Sequence, residues 1–137
     1  MTIEFTYLTL TLMLAASLWI PYIVGVNTHP QDGVDSFERP PALMGFPPWV
    51  HRAHRAHLNL IETAMPFAAL LLMAHILDVS TPVTIWAAAA FFWLRVIHAI
   101  GMISGIARFP ARPLIFLLSW LCTLAVGVQL LLSSGTG

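Results

Sequence analysis

The stretch His51-Arg52-Ala53-His54-Arg55-Ala56-His57-Leu58-Asn59-Leu60-Ile61-Glu62-Thr63-Ala64-Met65-Pro66-Phe67 decides how the rest of the chain reads. It opens as the most basic run in the protein and passes directly into apolar sequence. On a helix turning about 100° per residue, with Arg55 at zero, Asn59 falls at about +40°, Glu62 at about −20°, Pro66 at about +20° and His51 at about −40°. One narrow stripe thus carries a cation, an amide and a carboxylate down into what reads as hydrocarbon. Ionisable groups at that depth cost roughly 2.5–3.5 kcal/mol each on insertion scales, which marks them as candidate functional groups.

The composition agrees with a bilayer. Hydrophobic residues make up 58% of the 137 and charged residues 9%, against about 25% charged in soluble domains. The length suits one domain over residues 1–137, and the class is an all-α integral membrane four-helix bundle. With a net charge of zero, no nucleic-acid partner is indicated. Every cation is an arginine, a side chain that binds anions through a planar fork and keeps its charge in dry surroundings, although codon bias alone also favours arginine. The single cysteine, Cys122, excludes a disulfide framework and a cysteine-based metal centre. No basic segment precedes the first apolar run, so it reads as a span rather than a cleavable signal.

Four apolar runs are long enough to cross a core of about 30 Å: residues 5–26, 50–77, 82–104 and 112–132. Pro21 should kink or shorten the first. Residues 27–50 form a loop rich in proline and glycine, and Asp78-Val79-Ser80-Thr81-Pro82 is a tight turn with Pro82 suited to the next helix's first turn. Arg39, Arg52, Arg55, Arg108 and Arg112 all flank the first and third connections, whereas the second connection and both termini carry no cationic side chain. The positive-inside rule then sets the basic loops in the cytoplasm and both termini outside, in a multi-pass protein.

The second and third spans form an antiparallel hairpin about residue 79 or 80. Equal rise on both arms sets Glu62 level with residue 97, so Arg95 lies only about 3 Å deeper. Glu62 is the one acid inside its span and Arg95 the one cation inside its own. Pairing them spares each the cost of standing alone in lipid. Two readings fit. The pair is either structural glue that fixes register, or the floor of a polar cavity opening through Asn59, Arg55 and Arg52. Arg112, just before Pro113 at the start of the fourth span, would complete the rim of that cavity, where free N–H groups and the helix dipole favour an anion. Taken separately, Arg108 and Arg112 read more readily as interfacial anchors. Arg95, His98 and Met102 share a face of the third span by their spacing. His51, His54 and His57 spread over about 120° of helix and do not converge as metal ligands would, so no metal is assigned.

Arg55-Ala56-His57-Leu58-Asn59-Leu60-Ile61-Glu62, followed by Met65-Pro66-Phe67, resembles the second-helix signature of the membrane-associated proteins in eicosanoid and glutathione metabolism (MAPEG). Arg95-Val96-Ile97-His98 and a basic turn ending in Arg112 are similar to the family's next segment. The resemblance implies a homotrimer in a bilayer (a bacterial inner membrane, for a bacterial-type member) with glutathione bound between subunits on the cytoplasmic side. It further implies that Arg55, Asn59 and Glu62 contact glutathione, that Arg95 and His98 support them, and that Arg112 stabilises the thiolate; Arg52 joins the binding candidates from its place at the cavity opening. A cation beside a thiol raises the thiolate fraction, and the thiolate would attack a lipophilic electrophile arriving from the bilayer. The chain departs from the family at Met102, where its transferases carry a tyrosine, and at Leu60, where aspartate is frequent. Both changes should make the pocket less polar. The alternative is a non-catalytic membrane protein of the same fold that binds a lipid or protein partner.

Overall fold

In the computed structural model, which describes residues 1–33 and 42–134, the chain is built of α1 (Ile3–Ser17), α2 (Ile20–Thr28), a 3-10 turn at Leu43–Gly45, α3 (Pro48–Ile76), α4 (Pro82–Ser104) and α5 (Ala111–Ser134). Arg39, counted above among the cations of the first connection, lies outside the described residues. The segment 3–28, α3, α4 and the segment 111–133 are each long and apolar enough to cross a membrane. The expected all-α bundle of four spans is therefore present.

Local chemistry explains where the helices begin and break. Thr2 caps α1, accepting from the Phe5 N–H at 3.3 Å. The break falls at Leu18 and Trp19, just before Pro21, which has no N–H to offer the carbonyl of Ser17. A reciprocal capping box between Thr81 and Thr84 starts α4, with Pro82 in its first turn. Gly105, at φ +79°, ends it.

The hairpin of α3 and α4 is the centre of the bundle, and both of its arms touch α1 and α5. Its interior is filled in two zones. Toward the α3–α4 turn, Leu8, Phe67, Leu71, Ala88, Phe91 and Val126 pack together, with the Phe67 and Phe91 rings parallel and their centroids 3.9 Å apart. Toward the basic end, Ala15, Leu18, Ala56, Leu60, Ala64, Ala99 and Met102 form a second zone of mostly small side chains, which lets the backbones approach closely. At the turn end, buried Glu4 accepts from Ser80 at 2.6 Å and from Thr84 at 3.1 Å, tying the start of α1 to the start of α4.

Gly25 fixes how α2 lies on α3. A Cβ there would stand 2.5 Å from Val50 Cγ2 and 3.0 Å from the Trp49 ring, and Val50 is itself fully buried. Gly25→Ala is expected to destabilise the protein by about 1–3 kcal/mol through overpacking, read as a lower melting temperature in detergent. An unchanged melting temperature would mean that α2 is free to shift.

Candidate functional site

The polar stripe of α3 is divided by the fold. Asn59 turns toward α4 and α5, whereas His51, Arg55, Glu62 and Pro66 are exposed on the chain's outer edge. Helix geometry accounts for the split, since residues three apart diverge by about 60°. Pro66 also removes the N–H that the Glu62 carbonyl would accept from.

The expected contact between Glu62 and Arg95 is not made. Glu62 is exposed and has no hydrogen bond or ion pair among the described residues. Arg95 is 1% exposed and donates from Nη1 to Asn59 Oδ1 at 2.8 Å and from Nη2 to Ser119 Oγ at 2.6 Å. Its guanidinium carbon lies 5.4 Å from the ring centroids of both Phe91 and Phe116, close enough for cation–π attraction. Equal rise aligns two residues along a hairpin's axis and says nothing about which way each faces. The pair is therefore neither the structural glue nor the cavity floor within one chain.

Ser119 escaped the sequence reading, although a signal was there. A turn centred between residues 107 and 108 sets Arg95 level with about residue 120 of the fourth span, where Ser119 is the nearby hydroxyl in a strongly apolar segment. The same arithmetic, carried to the next hairpin, finds the partner that it misassigned in the first.

Above this buried cation opens a cleft of about 630 Å³ lined by Asn59, His98, Ala107, Arg108, Phe109, Arg112, Pro113 and Phe116. Three elements build it. Asn59 comes from the middle of α3, buried His98 from α4, and the arginines from the connection and first turn of α5. Gly101 permits the connection to fold back on α4, because a Cβ there would sit 2.7 Å from that of Ala107. Of the site residues read from the sequence, the fold gathers Asn59, His98 and Arg112 on this one surface, with Arg95 directly behind Asn59.

Arg52, Arg55 and Glu62 are not among the residues lining the cleft. Arg52 donates from Nε and Nη2 to the Ile103 carbonyl, both at 3.3 Å, and so closes the C-terminal end of α4, a position that suits a cation. The backbone contribution expected at the fourth span is also smaller than supposed. The N–H of Arg112 is bonded to the Arg108 carbonyl at 3.1 Å and that of Leu114 to the Pro110 carbonyl at 3.2 Å, and Pro113 has none. Attraction for an anion here falls chiefly on the side chains of Arg108 and Arg112, both exposed.

A family model described as the MAPEG family matches residues 6–132. The chain belongs to the MAPEG family. It is accordingly a membrane protein of the type found in glutathione and eicosanoid metabolism. No curated protein matches the chain.

The two departures from the MAPEG pattern lie together. Leu60 and Met102 are 2% and 4% exposed and belong to the same apolar zone between α1, α3 and α4. They do not line the cleft, so the expectation that they make that surface less polar is corrected. A buried carboxylate or phenol in this zone would need a partner, and two apolar residues remove both needs at once.

Proposed function

We propose that this MAPEG protein is a membrane-bound transferase or peroxidase-like enzyme that binds glutathione, or a related thiol, as co-substrate and delivers its thiolate to lipophilic electrophiles. The observation that carries the reading is the meeting of Asn59, His98, Arg108 and Arg112 on one open cleft at the basic end of the bundle. That surface offers two fixed cations, a buried imidazole and an amide, with Phe109 and Phe116 beside them. A peptide thiol with carboxylates suits the charges, and an apolar acceptor suits the rings.

In this mechanism Arg112 stabilises the thiolate sulfur as the thiol gives its proton to solvent water at the cleft mouth. The carbon–sulfur bond then forms at the acceptor's electrophilic centre, and the leaving group or opened ring takes a proton from solvent at the cytoplasmic mouth. Arg55 and Glu62 act across a subunit boundary. Both are exposed charges within a span, and facing hydrocarbon would cost roughly 2.5–3.5 kcal/mol for each. A second copy, in a homotrimer, covers that edge and lets its cleft use them. The basic end faces the cytoplasm, following the arginine bias.

The deciding measurement is ultraviolet thiolate absorbance on adding glutathione to detergent-purified protein. Absorbance that rises and saturates at millimolar glutathione is the expected outcome. A flat trace across a panel of low-molecular-weight thiols would instead support a non-catalytic role, with the basic mouth holding a lipid or protein partner.

A further inference from the structure

We infer that Ser119 and Arg95 form a buried bracket that orients the Asn59 amide, so that the cleft presents an N–H donor there and receives an oxygen acceptor of the ligand, a carboxylate or peptide carbonyl. The inference rests on the thiol reading of the cleft and adds which ligand group sits at its inner wall.

The argument begins with what a guanidinium can do. Arginine has five donors and no acceptor, so the Asn59 atom 2.8 Å from Arg95 Nη1 has to be the amide oxygen. Turning the amide over would set an NH2 group against a buried cation. The amide nitrogen is left on a side chain that lines the cleft, and no hydrogen bond within the described residues uses it. Asn59 is thereby a donor of fixed sense rather than an adaptable amide.

Ser119 holds the other end. Its oxygen accepts from Arg95 Nη2 at 2.6 Å, and its hydroxyl donates within α5 to the Ile115 carbonyl at 2.8 Å or the Phe116 carbonyl at 3.0 Å. Ser119 is fully buried, so no water replaces it. Ser119 and Arg112 are seven residues apart and share a face of α5. Through Ser119, Arg95 therefore also ties α4 to the helix that carries Arg112. One cation joins α3, α4 and α5 behind the cleft, and Arg95 is a positioning residue that acts through Asn59 and α5.

Two substitutions in the full-length, detergent-purified protein test this, with glutathione as probe. Asn59→Asp keeps an oxygen on Arg95 but replaces the donor facing the ligand with a second acceptor. The expected result is a Kd for glutathione at least tenfold higher, with a melting temperature at or above the parent's. Ser119→Ala should raise KM for glutathione about three- to tenfold and lower kcat as α5 loses its tie, and Ser119→Thr should restore both. Unchanged or tighter binding by Asn59→Asp would place a cationic ligand group at this wall and overturn the acceptor assignment. Ser119→Ala with parental KM and kcat would overturn the bracket. A parent that binds no glutathione sinks the thiol reading and the acceptor assignment with it. In that case the bracket is judged on melting temperature, and a value for Asn59→Asp below the parent's overturns it.

Discussion

Arg112→Ala is expected to leave the protein folded and assembled while slowing turnover by about 10²–10³-fold, the usual scale for removing one preorganised charge from a reacting anion. The guanidinium is exposed at the first turn of α5, on the wall of the cleft, and its side chain makes no hydrogen bond or ion pair among the described residues. Truncating it breaks nothing, so stability should stay within about 0.5 kcal/mol of the parent. On the proposed mechanism, what is lost is the cation that favours the thiolate over the thiol. Single-turnover conjugation and the ultraviolet thiolate signal should therefore fall together, while the elution position of the assembled protein stays put. Arg108→Ala is the control, because Arg108 lines the same cleft one turn earlier. If the thiolate signal survives in Arg112→Ala and disappears in Arg108→Ala, the role belongs to Arg108. This comparison decides which arginine stands nearest the sulfur.

The second large effect concerns Arg95. Arg95→Ala is expected to cost about 2–4 kcal/mol of stability, from the cavity left by a long buried side chain and from the Asn59 and Ser119 oxygens left without a donor. Arg95→Met is expected to be much milder. Methionine refills the space between Phe91 and Phe116 and removes a cation that the chain holds in a dry interior with no carboxylate paired to it among the described residues; exchanging buried charge for well-packed apolar atoms is often neutral or better. Both variants should bind glutathione poorly, since neither holds the Asn59 amide. Thermal unfolding in detergent separates the two effects. Equal losses in the alanine and methionine variants would show that the cation itself, rather than its volume, holds the three helices together.

The position of Glu62 bears on the fold and the site alike. An ion pair inside one chain would have made the cleft complete in each protomer. The carboxylate instead faces outward beside a backbone carbonyl that Pro66 cannot satisfy, with Arg55 on the same edge. Such an edge is tolerable in a bilayer only when something polar covers it. The proposed intersubunit site thereby rests on an exposed charge rather than on the pair first read from the sequence.

Much was readable one residue at a time. The four spans, the break at Pro21 and the tight turn before Pro82 follow from hydrocarbon length, proline chemistry and a constant helical rise, all of which act along a single segment. The MAPEG signature was also legible, and the family match covers the residues that carry it. The partners of the buried groups were not. Whether Arg95 meets Glu62, Asn59 or Ser119 depends on the rotation of three helices about their axes. That rotation is settled by the packing of all their faces together, including the small-residue zone around Leu60 and Met102 and the stacked rings of Phe67 and Phe91. Sequence spacing specifies height in the membrane, whereas only tertiary packing specifies bearing, because bearing is shared among helices and belongs to none of them alone.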